Sequence, residues 1–173
     1  GGGQAGLLHF PSFTDLPDAE IVAVTYSKEE RLRPVAEACG IRVHYTNYVD
    51  MVKKEKPDAV YVTVPPLDRY GIVATLLDLG CHTFVMKPPA LTTEQTRQMA
   101  VLARKRKVLT GVVFYRRFSH LVRRGKARCE QQGPVHTAVA TFYKNAVGSP
   151  PYAQGGIDIL TSDAIHAVDT LRY

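Results

Sequence analysis

Short apolar runs, each fenced off by a helical stretch, restrict this chain to one class of fold. Ile21-Val22-Ala23-Val24 and Ala59-Val60-Tyr61-Val62 are apolar in succession rather than in alternation, and 83–85 and 108–114 read as further strands. A strand of that kind buries both faces, which happens when helices cover a sheet on both sides. The intervening stretches read as helices. Ser27 and Glu30 have capping-box spacing for a helix running to about Cys39, with Gly40 as its stop. A short strand at 42–45 and a helix over about 48–54 follow. Pro65-Pro66 ends the second run, and Asp68 is the expected cap of a helix closed by Gly80. Thr92 and Gln95 repeat the capping-box spacing for a helix ending near Lys105. Strand and helix in alternation make βαβ units with right-handed crossovers. The fold class expected is therefore α/β, a Rossmann-type doubly wound parallel sheet.

The chain opens on Gly1-Gly2-Gly3-Gln4-Ala5-Gly6, which is G-x-G-x-x-G. In a first βα turn those glycines allow a tight bend, backbone approach to a pyrophosphate and close helix packing. Gly1, Gly3, Gln4, Ala5 and Gly6 are accordingly the expected dinucleotide cradle. No strand stands ahead of the loop, so the expected sheet lacks its first strand. In the fingerprint an acidic residue about 20 positions on holds the ribose hydroxyls. Here that place is Thr25-Tyr26-Ser27-Lys28, without a carboxylate. Ser27, Lys28 and Arg31 suit a 2′-phosphate instead, which favours NADP, with NAD the alternative.

Beyond Phe118 the pattern changes. A basic helix is expected over 120–132, a break at Gly133-Pro134, a strand of a second sheet over 135–143, and a helix over 161–173. The expected division is a dinucleotide-binding domain, 1–118, and the start of an α+β substrate domain, 119–173, cut short. The three cysteines form no C-x-x-C, so neither a disulfide framework nor a metal site is expected. The formal charge of +6 comes from clusters such as Arg104-Lys105-Arg106-Lys107, placed where cations suit a helix end. No helix-turn-helix or RNA-binding signature accompanies them, so no nucleic-acid partner is expected. No apolar run approaches the roughly 20 residues of a membrane span. A cytoplasmic location is expected.

Residues 64–70, 85–88 and 111–118 all fall at carboxyl ends of expected strands, where such sheets bind ligands. Taken with the glycine loop and the late Gly155-Gly156…His166-Ala167-Val168-Asp169, this order resembles the Gfo/Idh/MocA oxidoreductases. The resemblance spans essentially the whole chain. It implies NAD(P)-dependent hydride transfer to or from a sugar, polyol or related small molecule, and a homo-oligomer when full length. It places a catalytic, cofactor-facing lysine at Lys87 and an acid–base histidine at His166. The family's aspartate four residues before that histidine is Ser162 here; Asp163, one place later, is the expected partial substitute. Val64, Pro65 and Arg69 would line the cofactor, Arg69 standing where the family usually has histidine. Met86 replaces a family glutamate and Tyr115 an asparagine. Arg117 is expected at the domain junction and Asp169 in a structural role. The departures at Met86 and Ser162 keep open a second reading: a nucleotide-binding sensor or regulator without catalysis. The other histidines, His9, His44, His82, His120 and His136, are expected to be structural or exposed.

Overall fold

Among the described residues every strand pairing is parallel, as the continuous apolar runs lead one to expect. The computed structural model describes residues 4–143 and 157–173. In order come α1 (Gln4–Thr14), β1 (Val24–Thr25), α2 (Glu29–Ala38), β2 (His44–Tyr45), α3 (Tyr48–Glu55), β3 (Ala59–Val62), α4 (Pro66–Asp78), β4 (His82–Met86), α5 (Thr93–Arg106) and β5 (Thr110–Val113). A 3-10 turn (Tyr115–Phe118), α6 (His120–Glu130), a π turn (Leu160–Ala164) and α7 (Ile165–Arg172) complete it.

The strands form two sheets, β1–β2 and β3–β4–β5. Val24 faces His44 in the first; in the second Val62 faces Val85, and Val85 faces Val112. Between them lies a cavity of about 460 Å³, whose walls include Val24 and Thr25 of β1, Val60 and Tyr61 of β3, and Phe10 and Phe13 of α1. In the doubly wound order the strand leading into the glycine loop lies between these two edges. Among the described residues no strand fills that place. The gap also explains a correction. The run 21–24 reaches the ladder only at Val24, and Val22 is 40% exposed, because β1 has a pairing partner on one side alone.

Two apolar clusters carry the fold. One joins Phe10, Val24, Leu32, Val35, Ala36 and Ile41; the other packs Val73, Leu76 and Leu77 of α4 against Val60, Val62 and Val85 of the sheet. Helix ends follow local chemistry. Thr92 accepts from Gln95 N at 3.1 Å while Gln95 Oε1 accepts from Thr92 N at 3.3 Å, the expected capping box. Gly40 and Gly80 close their helices at φ +65 and +81, a region costly for any residue with a Cβ.

Three expectations need correcting. α2 opens from Lys28, with no side-chain cap, so Ser27 lies one residue too early to close a capping box. α4 opens from Pro65 with Pro66 at its first position, where the missing N–H costs nothing; Asp68 sits inside the first turn. Residues 135–143 form no strand. Among the described residues no edge pairs with them, and Val139 and Tyr143 are 83% and 90% exposed. An extended segment without a partner strand has no ladder to join.

Leu77 is fully buried while Leu79, just beyond the same helix, is 40% exposed. Chemical denaturation should show Leu77→Ala losing about 3 kcal/mol, and Leu79→Ala less than about 0.5 kcal/mol.

Candidate active site

The carboxyl ends of β3, β4 and β5 lie side by side, and each continues into a loop carrying polar side chains. β4 ends at Met86, so Lys87 is the first residue beyond the ladder. Its ammonium donates a short hydrogen bond to the Ser162 carbonyl and stands 3.6 Å from Asp163 Oδ1. The two side chains are only 13% and 18% exposed. Ser162 Oγ donates to Asp163 Oδ2 at 2.9 Å. Asp163 thus reaches the lysine from three residues before His166 rather than four.

Both acceptors lie in the π turn, a winding that recurs at functional sites. Asp158 anchors its entry, accepting from Thr161 N at 2.8 Å and Thr161 Oγ1 at 2.7 Å. Those bonds hold the Asp158 carboxyl below the usual range.

His166 stands in the first turn of α7, 3% exposed. The rings of Phe114 and Tyr115 approach it edge-on, with centroids at 6.3 and 5.0 Å. Its Nδ1 is buried and has no hydrogen-bond partner among the described residues. Burial, then the positive charges of Lys87 and Arg116, push its pKa down to about 4. At neutral pH the imidazole is therefore uncharged and able to accept a proton. α7 is clasped to the sheet edge by a second contact. Arg117 Nε donates to Asp169 Oδ2 at 2.9 Å and Arg117 Nη2 to Asp169 Oδ1, a two-pronged pair with Asp169 7% exposed. That hydrogen bonding raises the Arg117 pKa.

On the cofactor side, Gly1 and Gly3 lie outside the described residues. Gln4, Ala5 and Gly6 form the first turn of α1, which carries no acidic residue. The N–H groups and dipole of such a turn favour an anion. Ser27, Lys28 and Arg31 are exposed just past the carboxyl end of β1. Val64 is half-buried and Pro65 exposed, directly after β3. The donor set, a helix N-terminus and exposed cations on one strand end with a lysine and a neutral histidine on others, fits a nicotinamide dinucleotide.

Arg69 departs from expectation. Rather than facing a cofactor it is 5% exposed, its guanidinium turned onto backbone carbonyls of Val64, Met86 and Pro88. The signal for this was available. Arg69, Val73, Leu76 and Leu77 share helical spacing, so the arginine falls on the buried stripe of α4. The π turn and its carbonyl had no sequence signal. Among the described residues no group of three His, Cys, Asp or Glu could hold a metal, and no helix is long and apolar enough to cross a membrane.

Comparison with known proteins follows this geometry. Residues 1–114 match the model of the Gfo/Idh/MocA oxidoreductase family, NAD-binding Rossmann fold. A D-glucoside 3-dehydrogenase of Escherichia coli (strain K12) is 34% identical over 120 residues, 69% of this chain and 34% of that protein. A 1,5-anhydro-D-fructose reductase of Ensifer adhaerens is 29% identical over 163 residues, 89% of this chain and 48% of that protein. The fold is shared with GenD2 from gentamicin A biosynthesis, solved in complex with NAD: TM-score 0.84 at 22% identity, over 99% of this chain and 51% of that one. The chain spans between a third and about half the length of these proteins.

Two measurements check the site's electrostatics. The folded pKa of His166, about 4, lies below its ordinary 6.5. Folding then binds fewer protons, so this stabilisation is complete above pH 6.5 and fades as pH falls towards 4. From about pH 7 to about pH 4.5 the protein should lose about 2 kcal/mol more than His166→Gln does in denaturant titrations; parallel losses would mean an already solvated imidazole. Asp169→Ala leaves Arg117 without its carboxylate and should cost about 2 kcal/mol in the same assay.

Proposed function

Since this chain belongs to the oxidoreductase family with the NAD-binding Rossmann fold, we propose that it forms the cofactor-binding part of a dehydrogenase or reductase. The enzyme would move a hydride between a nicotinamide dinucleotide and a hydroxyl or carbonyl carbon of a sugar, polyol or related small molecule. The observation that carries this reading is the convergence of Lys87, Asp163 and a dry, neutral His166 at the carboxyl edge of the sheet. That convergence also favours catalysis over a regulator. Met86 supplies no carboxylate beside the lysine, but Asp163 brings one from α7's approach.

The roles follow from the chemistry. Oxidation of an alcohol breaks a C–H bond, whose electron pair leaves as hydride, and an O–H bond, whose proton must be taken up. The nicotinamide, when bound, supplies the hydride acceptor. Lys87, as an ammonium, would hydrogen-bond the substrate oxygen and stabilise negative charge developing there. Asp163, paired with that ammonium at 3.6 Å, would hold it in place. His166, neutral and short of a partner at Nδ1, would take the proton in oxidation and return it in reduction.

Gln4, Ala5 and Gly6, with the glycines before them, would hold the pyrophosphate. Ser27, Lys28 and Arg31 would take a 2′-phosphate, so NADP is the proposed cofactor and NAD the alternative. Val64 and Pro65 would flank the nicotinamide half. Residues 119–173 would open the substrate domain, and the full-length protein would act in the cytoplasm as a homo-oligomer.

The test is NADPH and NADH binding by fluorescence, followed by turnover on a panel of sugars and polyols. Lys87→Met should hold the dinucleotide within about threefold of the parent's affinity while turnover falls by about 10²–10³. Binding without turnover on any substrate would favour the regulator. Binding of neither cofactor would sink both.

A further inference from the structure

The geometry points to Arg69 as the positioning residue that sets Lys87. Its guanidinium spans two loops. Nε donates to the Val64 carbonyl at 3.0 Å, after β3; Nη1 donates to the Met86 carbonyl at 3.2 Å and to the Pro88 carbonyl, after β4. Met86 and Pro88 are the residues on either side of Lys87. Fixing the Met86 carbonyl fixes the peptide plane that leads into Lys87, and fixing the Pro88 carbonyl anchors the chain one residue beyond it, so the lysine is held from both sides.

The chemistry explains why an arginine stands here. The β4–β5 ladder ends at Met86 opposite Val113, so the carbonyls beyond it have no strand to satisfy them. Pro88 and Pro89 bring acceptors and no N–H. Burying such carbonyls unpaired is costly. One planar fork with donors on separate nitrogens, always charged, reaches the Val64, Met86 and Pro88 carbonyls at once; a lysine's three donors sit on a single nitrogen without that span. The buried stripe of α4 holds the fork in place, with Val73, Leu76 and Leu77 all at or below 1% exposure on the same face. The loop after β3, proposed above to flank the cofactor, and the loop carrying Lys87 thereby share one rigid connection.

This inference rests on the proposed role of Lys87, so its test includes a readout independent of activity. Competitive acetylation with acetic anhydride, read by mass spectrometry, reports how well each lysine is shielded. In the full chain Lys87 should label far less than the exposed Lys53. Arg69→Met should raise the Lys87-to-Lys53 ratio by about tenfold, as expected when a locally ordered loop opens. Where turnover is measurable, kcat should fall by about 100-fold while KM for the dinucleotide changes by less than about threefold, the signature of a misplaced group rather than lost binding. Arg69→Lys keeps the charge without the span and should fall between the two. An unchanged labelling ratio in a cooperatively melting Arg69→Met overturns the assignment. If that variant does not melt cooperatively, an unchanged ratio in Arg69→Lys overturns it equally. Failure of the parent protein to bind any dinucleotide would instead remove the oxidoreductase reading and leave the labelling result standing.

Discussion

The ammonium of Lys87 is the joint on which the arrangement turns. A charge that is largely removed from water must find acceptors, or the fold has to expose it. Its acceptors come from Ser162 and Asp163, about 75 positions further along the chain. That one demand draws the π turn onto the carboxyl edge of the sheet. Arg117 and Asp169 repeat it one helical turn beyond His166, from 52 residues apart. Between the two contacts α7 has little freedom to slide. His166, lying between Asp163 and Asp169 on that helix, is pressed against Phe114 and Tyr115 and loses its water. The histidine's neutrality is therefore a product of the clasp around it and not a property of its own position in the sequence.

The charges divide the work. Lys87 and Arg116 discourage a proton on His166, while Asp163 and Asp169 encourage one; burial tips the balance towards the neutral form. The same carboxylates pair with Lys87 and Arg117. The site thus brings a hydrogen-bond donor and a neutral imidazole to one edge of the sheet, groups of the kind that hydride transfer to and from an oxygen-bearing carbon uses. In water an imidazole begins to take up a proton near its ordinary 6.5; here burial keeps His166 neutral well below that pH.

How much of this was legible depended on whether local chemistry decided the outcome. Ala59–Val62, the Thr92 capping box and the glycine stops at Gly40 and Gly80 emerged where the sequence placed them, because each is settled within a few residues. β1 and the segment 135–143 were misread because a strand exists only by virtue of its neighbours. Ile21–Val24 has β-forming composition, yet one edge lies open. Lys87 was singled out through a motif and Asp163 through helical spacing, since residues three and four before His166 share a face. That the two pair with each other had no sequence signal. Arg69 was misassigned because its motif position outweighed its place on the apolar stripe of α4. The stripe was the better guide: it reports burial directly, whereas a motif position says only what another chain does there.

The gap between β1 and β3 gives the molecule its remaining logic. α1, β1 and α2 form one side, with Phe10, Val24 and Leu32 in their own core; β3, β4, β5, α4 and α5 form the other. Across the gap run ring contacts, Phe13 and His9 against Tyr61 at 5.2 and 5.6 Å, and apolar packing through α3, whose Met51 and Val52 join the second core while Ala23 and Tyr45 pack against it. Tyr61 is half-buried there, and burial pushes its hydroxyl up to about 12. The groups proposed to hold the adenosine end of the dinucleotide, Ser27, Lys28 and Arg31, sit on the first side. Those proposed for the nicotinamide end, Val64, Pro65 and Lys87, sit on the second. A ligand touching both would therefore do more than occupy a surface. It would add free energy to that junction, so binding and the relative placement of the two sides would be linked.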